Sequence, residues 1–162
     1  VSNKIPATGV KLNKNNLVIA PKNREVLKAI VSPSNSTDKL SWSSTARRIA
    51  SVDKNGNVSA AAPGKAVITV TTESGKKASC NVLVGLRQGD VISSGIYRYK
   101  VTDSSVDGTG QMEVAGFIKG RRAKNVTFPK SIAWNGIKYN VTSVGTHLKQ
   151  TKRLKQSSYQ IL

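Results

Sequence analysis

Acid–base or nucleophilic catalysis needs a nucleophile, a base and an orienting group within hydrogen-bond reach. This chain offers one histidine, His147, and one cysteine, Cys80, for that work. His147 stands among lysines and arginines with no acidic residue close by, so it reads as an exposed or packing histidine. Cys80 is in phase with Val82 and Val84 and reads as a small apolar core residue. With no second thiol it forms neither an internal disulfide nor a thiolate metal site. Asp103 with Asp107-Gly108, and Asp53 with Asn55-Gly56, gather oxygens in turns. Neither stretch places ligands at alternate positions and ends in a bidentate glutamate, as a calcium loop does. Turn chemistry explains both, because Asp, Asn and Gly favour tight reversals. Gly108-Thr109-Gly110 and the Gly116 to Gly120 stretch lack the strand-to-helix spacing of a phosphate loop. The sequons at Asn35, Asn57, Asn125 and Asn140 read as polar strand and turn residues. No catalytic residue, metal site or cofactor is expected, and the chain reads as non-enzymatic.

Binding chemistry is the alternative. The net charge is +18, from 26 basic and 8 acidic residues. Residues 1–84 and 85–162 each carry 13 Lys and Arg against 4 Asp and Glu. A reader of nucleic acid gathers its charge on one helix, arm or groove, so specific nucleic-acid recognition is not expected. Long-range attraction to an anionic wall polymer fits an even spread better. The candidate polyanion-binding residues are Arg121, Arg122 and Lys124 at a Gly120 turn, and Lys152, Arg153 and Lys155 in the tail. With Leu148, Leu154 and Ile161, the tail cations suit a short basic amphipathic helix. A sugar platform needs an exposed aromatic. Trp134 is the candidate glycan contact, because Trp42 shares a strand face with Leu40 and is expected in the core.

The elements that would position these residues are short strands. Val10 and Leu12, then Leu17 and Ile19, alternate with polar residues, and Pro21 stops the run. A strand is predicted from Val26 to Val31, with Leu27, Ala29 and Val31 on one face. Leu40 and Trp42 point inward from the next. Ile49 and Val52 lead into the turn Asp53-Lys54-Asn55-Gly56, and Val58 and Ala60 return. Pro63-Gly64 turns into Ala66, Ile68, Val70 and Thr72, the strongest alternation in the chain. Ser74-Gly75 leads to a last strand, Lys76 to Val84. Closely spaced strands and turn signals write a small antiparallel sandwich. After Val84 the pattern changes. Gly85 to Gly95 reads as a spacer with weak strand character, followed by strands at Tyr97 to Val101 and Met112 to Phe117. Asn135-Gly136 reads as a hairpin turn before a return strand from Ile137 to Val144.

Thr8-Gly9-Val10, Ser32-Pro33, Trp42-Ser43-Ser44, Ile49-Ala50-Ser51-Val52-Asp53, Asn55-Gly56, Pro63-Gly64, Ile68-Thr69-Val70 and Cys80 with Val82 and Val84 stand in one order. In that order they resemble the bacterial group 2 immunoglobulin-like domain over residues 6 to 84. The resemblance implies an Ig-like β-sandwich of the kind found in surface proteins and adhesins. Tyr99-Lys100-Val101-Thr102, Asn125-Val126-Thr127-Phe128-Pro129 and Gly136 to Gly145 resemble the opening segment of BspA-like leucine-rich repeat proteins. Three or more repeats are needed to bury a solenoid core, so residues 85–162 are expected to be a cap or truncated start.

The expected organisation is therefore all-β: a linker at 1–5, an Ig-like sandwich at 6–84, and a small β-rich domain at 85–162 with a short C-terminal helix. No apolar run reaches the roughly 20 residues needed to span a bilayer. The first residues lack a signal pattern, so the chain is expected to begin inside a longer protein or after processing. The function implied is a cell-surface adhesion or structural module, monomeric, extracellular or wall-associated, with a host or cell-wall protein or glycan as partner. A carbohydrate-binding accessory module of a secreted polysaccharide-degrading enzyme is the alternative, and a polyanion or nucleic-acid binder the second.

Overall fold

The computed structural model describes residues 3–118, 126–146 and 159–161, the last three as backbone alone. The chain divides into two compact units, Val1–Val84 and Gly85–Leu162. Among the described residues no helix is long and apolar enough to cross a membrane.

Unit 1 is built from nine strands. They are β1 (Gly9–Leu12), β2 (Asn16–Ile19), β3 (Arg24–Val26), β4 (Ala29–Ser32), β5 (Leu40–Ser44), β6 (Ala50–Val52), β7 (Asn57–Ala60), β8 (Gly64–Thr72) and β9 (Lys77–Val84). One sheet runs β2-β9-β8-β5, a second runs β3-β7-β6, and β1 pairs β4. The strict alternation of β8 decides the packing. Ala66, Ile68, Val70 and Thr72 are all buried, while Lys65 is exposed and Val67, Thr69 and Thr71 are half-buried. Antiparallel pairing sets Ile68 opposite Cys80, and Trp42 opposite Val70. Leu27, Val58, Ile68, Val82 and Val84 then belong to one hydrophobic cluster. Cys80 is fully buried within it, and that burial pushes its thiol pKa up.

Three expectations for this half change. The run Val26 to Val31 is not one strand. β3 pairs β7 while β4 pairs β1. At the break the Leu27 amide donates to the Gly56 carbonyl (2.9 Å). The Lys28 amide donates to Asn13 Oδ1 (2.8 Å). Leu27 stays buried, so the apolar phase continues while the pairing partner changes. Residues 4 and 5 are not a free linker: Lys4 pairs with Glu73 at 2.8 Å, and the Ile5 amide donates to Thr37 Oγ1 at 3.0 Å. Trp42 is half-buried, packed against the core at its edge.

Unit 2 holds β10 (Val91–Ser94), β11 (Tyr97–Asp103), β12 (Gln111–Phe117), β13 (Val126–Phe128), β14 (Ser131–Trp134), β15 (Ile137–Val144) and β16 (Tyr159–Ile161). A five-stranded sheet runs β10-β11-β12-β15-β14, in which β12 and β15 are parallel. β13 pairs β16, also parallel. Asn135 (φ 48°) and Gly136 (φ 89°) both adopt positive φ between β14 and β15, the geometry of a two-residue type I′ turn. Tyr99, Val101, Met112, Val114, Phe128 and Tyr139 are buried. Tyr97 packs on Phe117 and Phe128, with ring centroids 5.4 and 4.8 Å away. The expected spacer is partly structural. Leu86 is buried, and its amide donates to the Tyr139 hydroxyl at 2.8 Å. Of the expected C-terminal helix, Leu148 to Lys155 lie outside the described residues, whereas Ile161 is in strand β16, where the backbone pairs with β13 instead of continuing a helix.

Candidate binding surfaces

The acidic residues of this chain are occupied by the fold. In unit 1, Glu25 pairs with Lys14 (2.6 Å) and Glu73 with Lys4 (2.8 Å). Asp38 Oδ2 accepts the amides of Ala7 (3.1 Å) and Ser74 (2.9 Å). Asp53 Oδ1 accepts the amides of Asn55 (2.8 Å) and Asn57 (2.9 Å), and Asp53 Oδ2 accepts from the Asn57 side-chain amide (2.6 Å). In unit 2, Asp90 Oδ2 accepts the Arg87 amide at 2.8 Å. Asp103 holds Ser105, and Asp107 holds Thr109, each through amide and hydroxyl. Glu113 lies 3.9 Å from Lys100. Hydrogen bonding to the charged form lowers a carboxyl pKa. The Ser74 and Asn57 contacts hold Asp38 and Asp53 below their ordinary values, and Ser105 and Thr109 do the same for Asp103 and Asp107.

These bonds show what the two oxygen-rich turns are built for. Each carboxylate caps its own reversal, as short polar side chains do in Asx turns. Among the described residues no three His, Cys, Asp or Glu side chains converge as metal ligands.

The fate of the candidate residues is mixed. Arg121, Arg122, Lys124, Lys152, Arg153 and Lys155 lie outside the described residues, as does His147. Trp134 is half-buried at the end of β14. It lies opposite Ile137 and on the same strand face as the buried Ile132. The residue is only partly covered, at the tip of the hairpin.

Two surface features were not foreseen. A groove of about 480 Å³ on the β3-β7-β6 sheet is lined by Arg24, Val26, Ser51, Asn57 and Ser59, among others. A second is cationic. Arg47 and Arg48 occupy the segment between β5 and β6, and Lys65 is the second residue of β8. The adjacent Arg47-Arg48 pair is visible in the sequence, but only strand register reveals that Lys65 shares its end of the sheet.

Residues 6–82 match the model of the bacterial Ig-like domain (group 2). The nine strands of unit 1 agree with that Ig-like sandwich. The chain is 40% identical over 77 residues to a minor capsid protein of enterobacteria phage T3. That match covers 48% of this chain and 18% of the phage protein. It is 41% identical over 58 residues to a lacto-N-biosidase of Bifidobacterium bifidum, covering 36% of this chain and 5% of that enzyme. Among solved structures it is similar to the S-layer protein rSbsC, with 14% identity and a TM-score of 0.44. That similarity covers 73% of this chain and 18% of the S-layer protein. The chain spans between 5% and 25% of the length of the curated relatives it matches.

Proposed function

We propose that this chain is a non-catalytic part of an extracellular, cell-surface bacterial protein. Unit 1 serves as an Ig-like spacer, and unit 2 is the adhesive module that it presents. The observation that carries the reading is the match of residues 6–82 to the bacterial Ig-like domain, within relatives far longer than the matched segment. The use of all eight carboxylates in turns, ion pairs and backbone contacts supports it: each is engaged in holding the fold. In unit 2, the two-stranded parallel pair β13–β16 is the kind of ladder that a repeat region would extend, whereas β12–β15 is closed on either side by β11 and β14. The β13–β16 pair supports reading residues 85–162 as the start of such a region.

The experiment is surface accessibility. Antiserum raised against this chain should label intact cells of the producing bacterium, and external protease should remove the signal. Detection only after lysis would overturn the reading. The second reading, an accessory module of a polysaccharide-degrading enzyme, is favoured by the lacto-N-biosidase relative and by the partial exposure of Trp134. It requires binding to a neutral glycan on an array, lost in Trp134→Ala.

A further inference from the structure

The outer face of the β2-β9-β8-β5 sheet is built unlike the rest of unit 1. Alternation turns Ala66, Ile68, Val70, Cys80, Val82 and Val84 into the core; outside stand Val67, Asn81 and Leu83 towards the Lys65 end and short hydroxyl side chains towards the Lys77 end. Ser43 lies opposite Thr69, and Thr69 opposite Ser79, whose hydroxyl oxygens are 2.9 Å apart. Ser41 lies opposite Thr71 in the next row. From Lys65 to Thr71 the face runs for about 20 Å, at roughly 3.3 Å per residue. Lys65 stands at one end and Lys77 at the other, both exposed. No acidic residue lies on these strands at all.

The Lys65 end is more cationic than one strand can make it. Arg47 and Arg48 are exposed, and both flanks of their segment are fixed to the start of β8. The Thr45 amide donates to the Val67 carbonyl (3.0 Å), and the Val67 amide returns a bond to Thr45 Oγ1 (2.9 Å). On the other flank, the Ile49 side chain fills the space beside Gly64. Residues 46–48 are therefore pinned next to residues 65 and 66. Arg47, Arg48 and Lys65 pair with none of the described carboxylates, because those of unit 1 are held by Lys4, Lys14 and backbone amides.

We propose that this face docks an extended polyol-phosphate polymer. Arg47, Arg48 and Lys65 hold phosphates at one end, Lys77 holds one at the other, and the two hydroxyl rows at the Lys77 end meet the polyol. Guanidinium groups match phosphate oxygens in bidentate geometry, the strands between the two ends carry no acid, and Glu73, just past β8 at the Lys77 end, is paired with Lys4. Nucleic acid is the poorer occupant. The outward positions of β5, β8 and β9 hold no aromatic side chain on which bases would stack, and a flat sheet face does not enter a duplex groove. A second copy would bring like charge against like.

The test is fluorescence anisotropy of the full chain with labelled poly(glycerol phosphate). The wild type should bind at low ionic strength. The triple variant Arg47→Glu, Arg48→Glu, Lys65→Glu should lose about tenfold or more in affinity. Its dependence of log K on log salt should be shallower by roughly 2, at about 0.7 per phosphate contact on a single strand. A control with the same charge change on other exposed lysines, Lys11→Glu, Lys28→Glu, Lys54→Glu, should lose about threefold at most, through long-range attraction alone. If the Glu triple does not melt cooperatively, the same three positions changed to Gln take its place in the same comparison. Equal losses in the triple and the control overturn the site. So does a larger loss on reversing Arg121, Arg122 and Lys124, or no binding by the wild type. An oligothymidylate of equal phosphate number that binds as tightly overturns the choice of polymer.

Discussion

Gly56 sits at φ 82° in the turn between β6 and β7, where L side chains are strained. A Cβ there would collide with the Leu27 carbonyl oxygen and lie 2.9 Å from the Trp42 ring. The turn is thus clamped between the β3–β4 break and the tryptophan, which explains why Trp42 rests at the core edge rather than inside it. Gly56→Ala should destabilise unit 1 by about 2–4 kcal/mol, combining backbone strain with overpacking. Thermal denaturation of the full chain checks this, and an unchanged midpoint would mean that the ring and the carbonyl move aside freely. A second residue-scale prediction concerns Asp38, which ties the Ala7 amide to the β8–β9 turn at Ser74. Its folded pKa is lowered, first by the Ser74 side chain. The stability it contributes is fully present above the unfolded value, about 3.9, and is lost as pH falls through the lower folded value. Asp38→Asn keeps an acceptor for both amides but removes the charge. Its melting midpoint should fall less than that of the wild type as the pH drops below about 4. Parallel acid titration curves would show that Asp38 does not drive the acid loss.

At the scale of elements, legibility follows periodicity. β8 was readable because one face is buried along its whole length, so every second residue had to be apolar or, at Thr72, internally bonded through the Lys76 amide. The turn at Asn55-Gly56 and the hairpin at Asn135-Gly136 were readable because positive φ restricts residue choice. The division of Val26 to Val31 was not readable. Leu27 and Ala29 keep the two-residue phase across the break, and phase says which way a side chain points, not which strand it pairs with. β10 is only faintly legible for a related reason. It is a four-residue edge strand whose Val91 is 53% exposed, so it carries little apolar signal. The parallel pairs in unit 2 had no local mark, since their partners lie about thirty residues apart in the chain. The cationic end of the β8 sheet was half legible: Arg47-Arg48 stood in the sequence, whereas Lys65 joined it only through the Thr45–Val67 register.

For the whole molecule, charge and unit structure meet in one prediction. The core cluster of unit 1 draws all its members from residues 10–84. A fragment of residues 3–84 should therefore fold alone, with a cooperative transition and an enthalpy of about 55–60 kcal/mol, at roughly 0.7 kcal/mol per residue. That unit carries 13 basic and 4 acidic residues, and the acids are already engaged. Surplus cations repel one another in the compact state, and added salt screens that repulsion. Salt also weakens the two ion pairs, Lys4–Glu73 and Lys14–Glu25, but both are substantially exposed. Exposed pairs of this kind contribute little to stability. Repulsion among the many unpaired cations outweighs two weak attractions, so the melting midpoint of the fragment should rise with sodium chloride. Sulfate would confuse the test, because it stabilises folded states by exclusion from the surface as well as by screening. Calorimetry of the fragment across a chloride series decides the matter. A midpoint that falls with chloride would mean that local ion pairs, not the excess of positive charge, dominate the electrostatics of this sandwich.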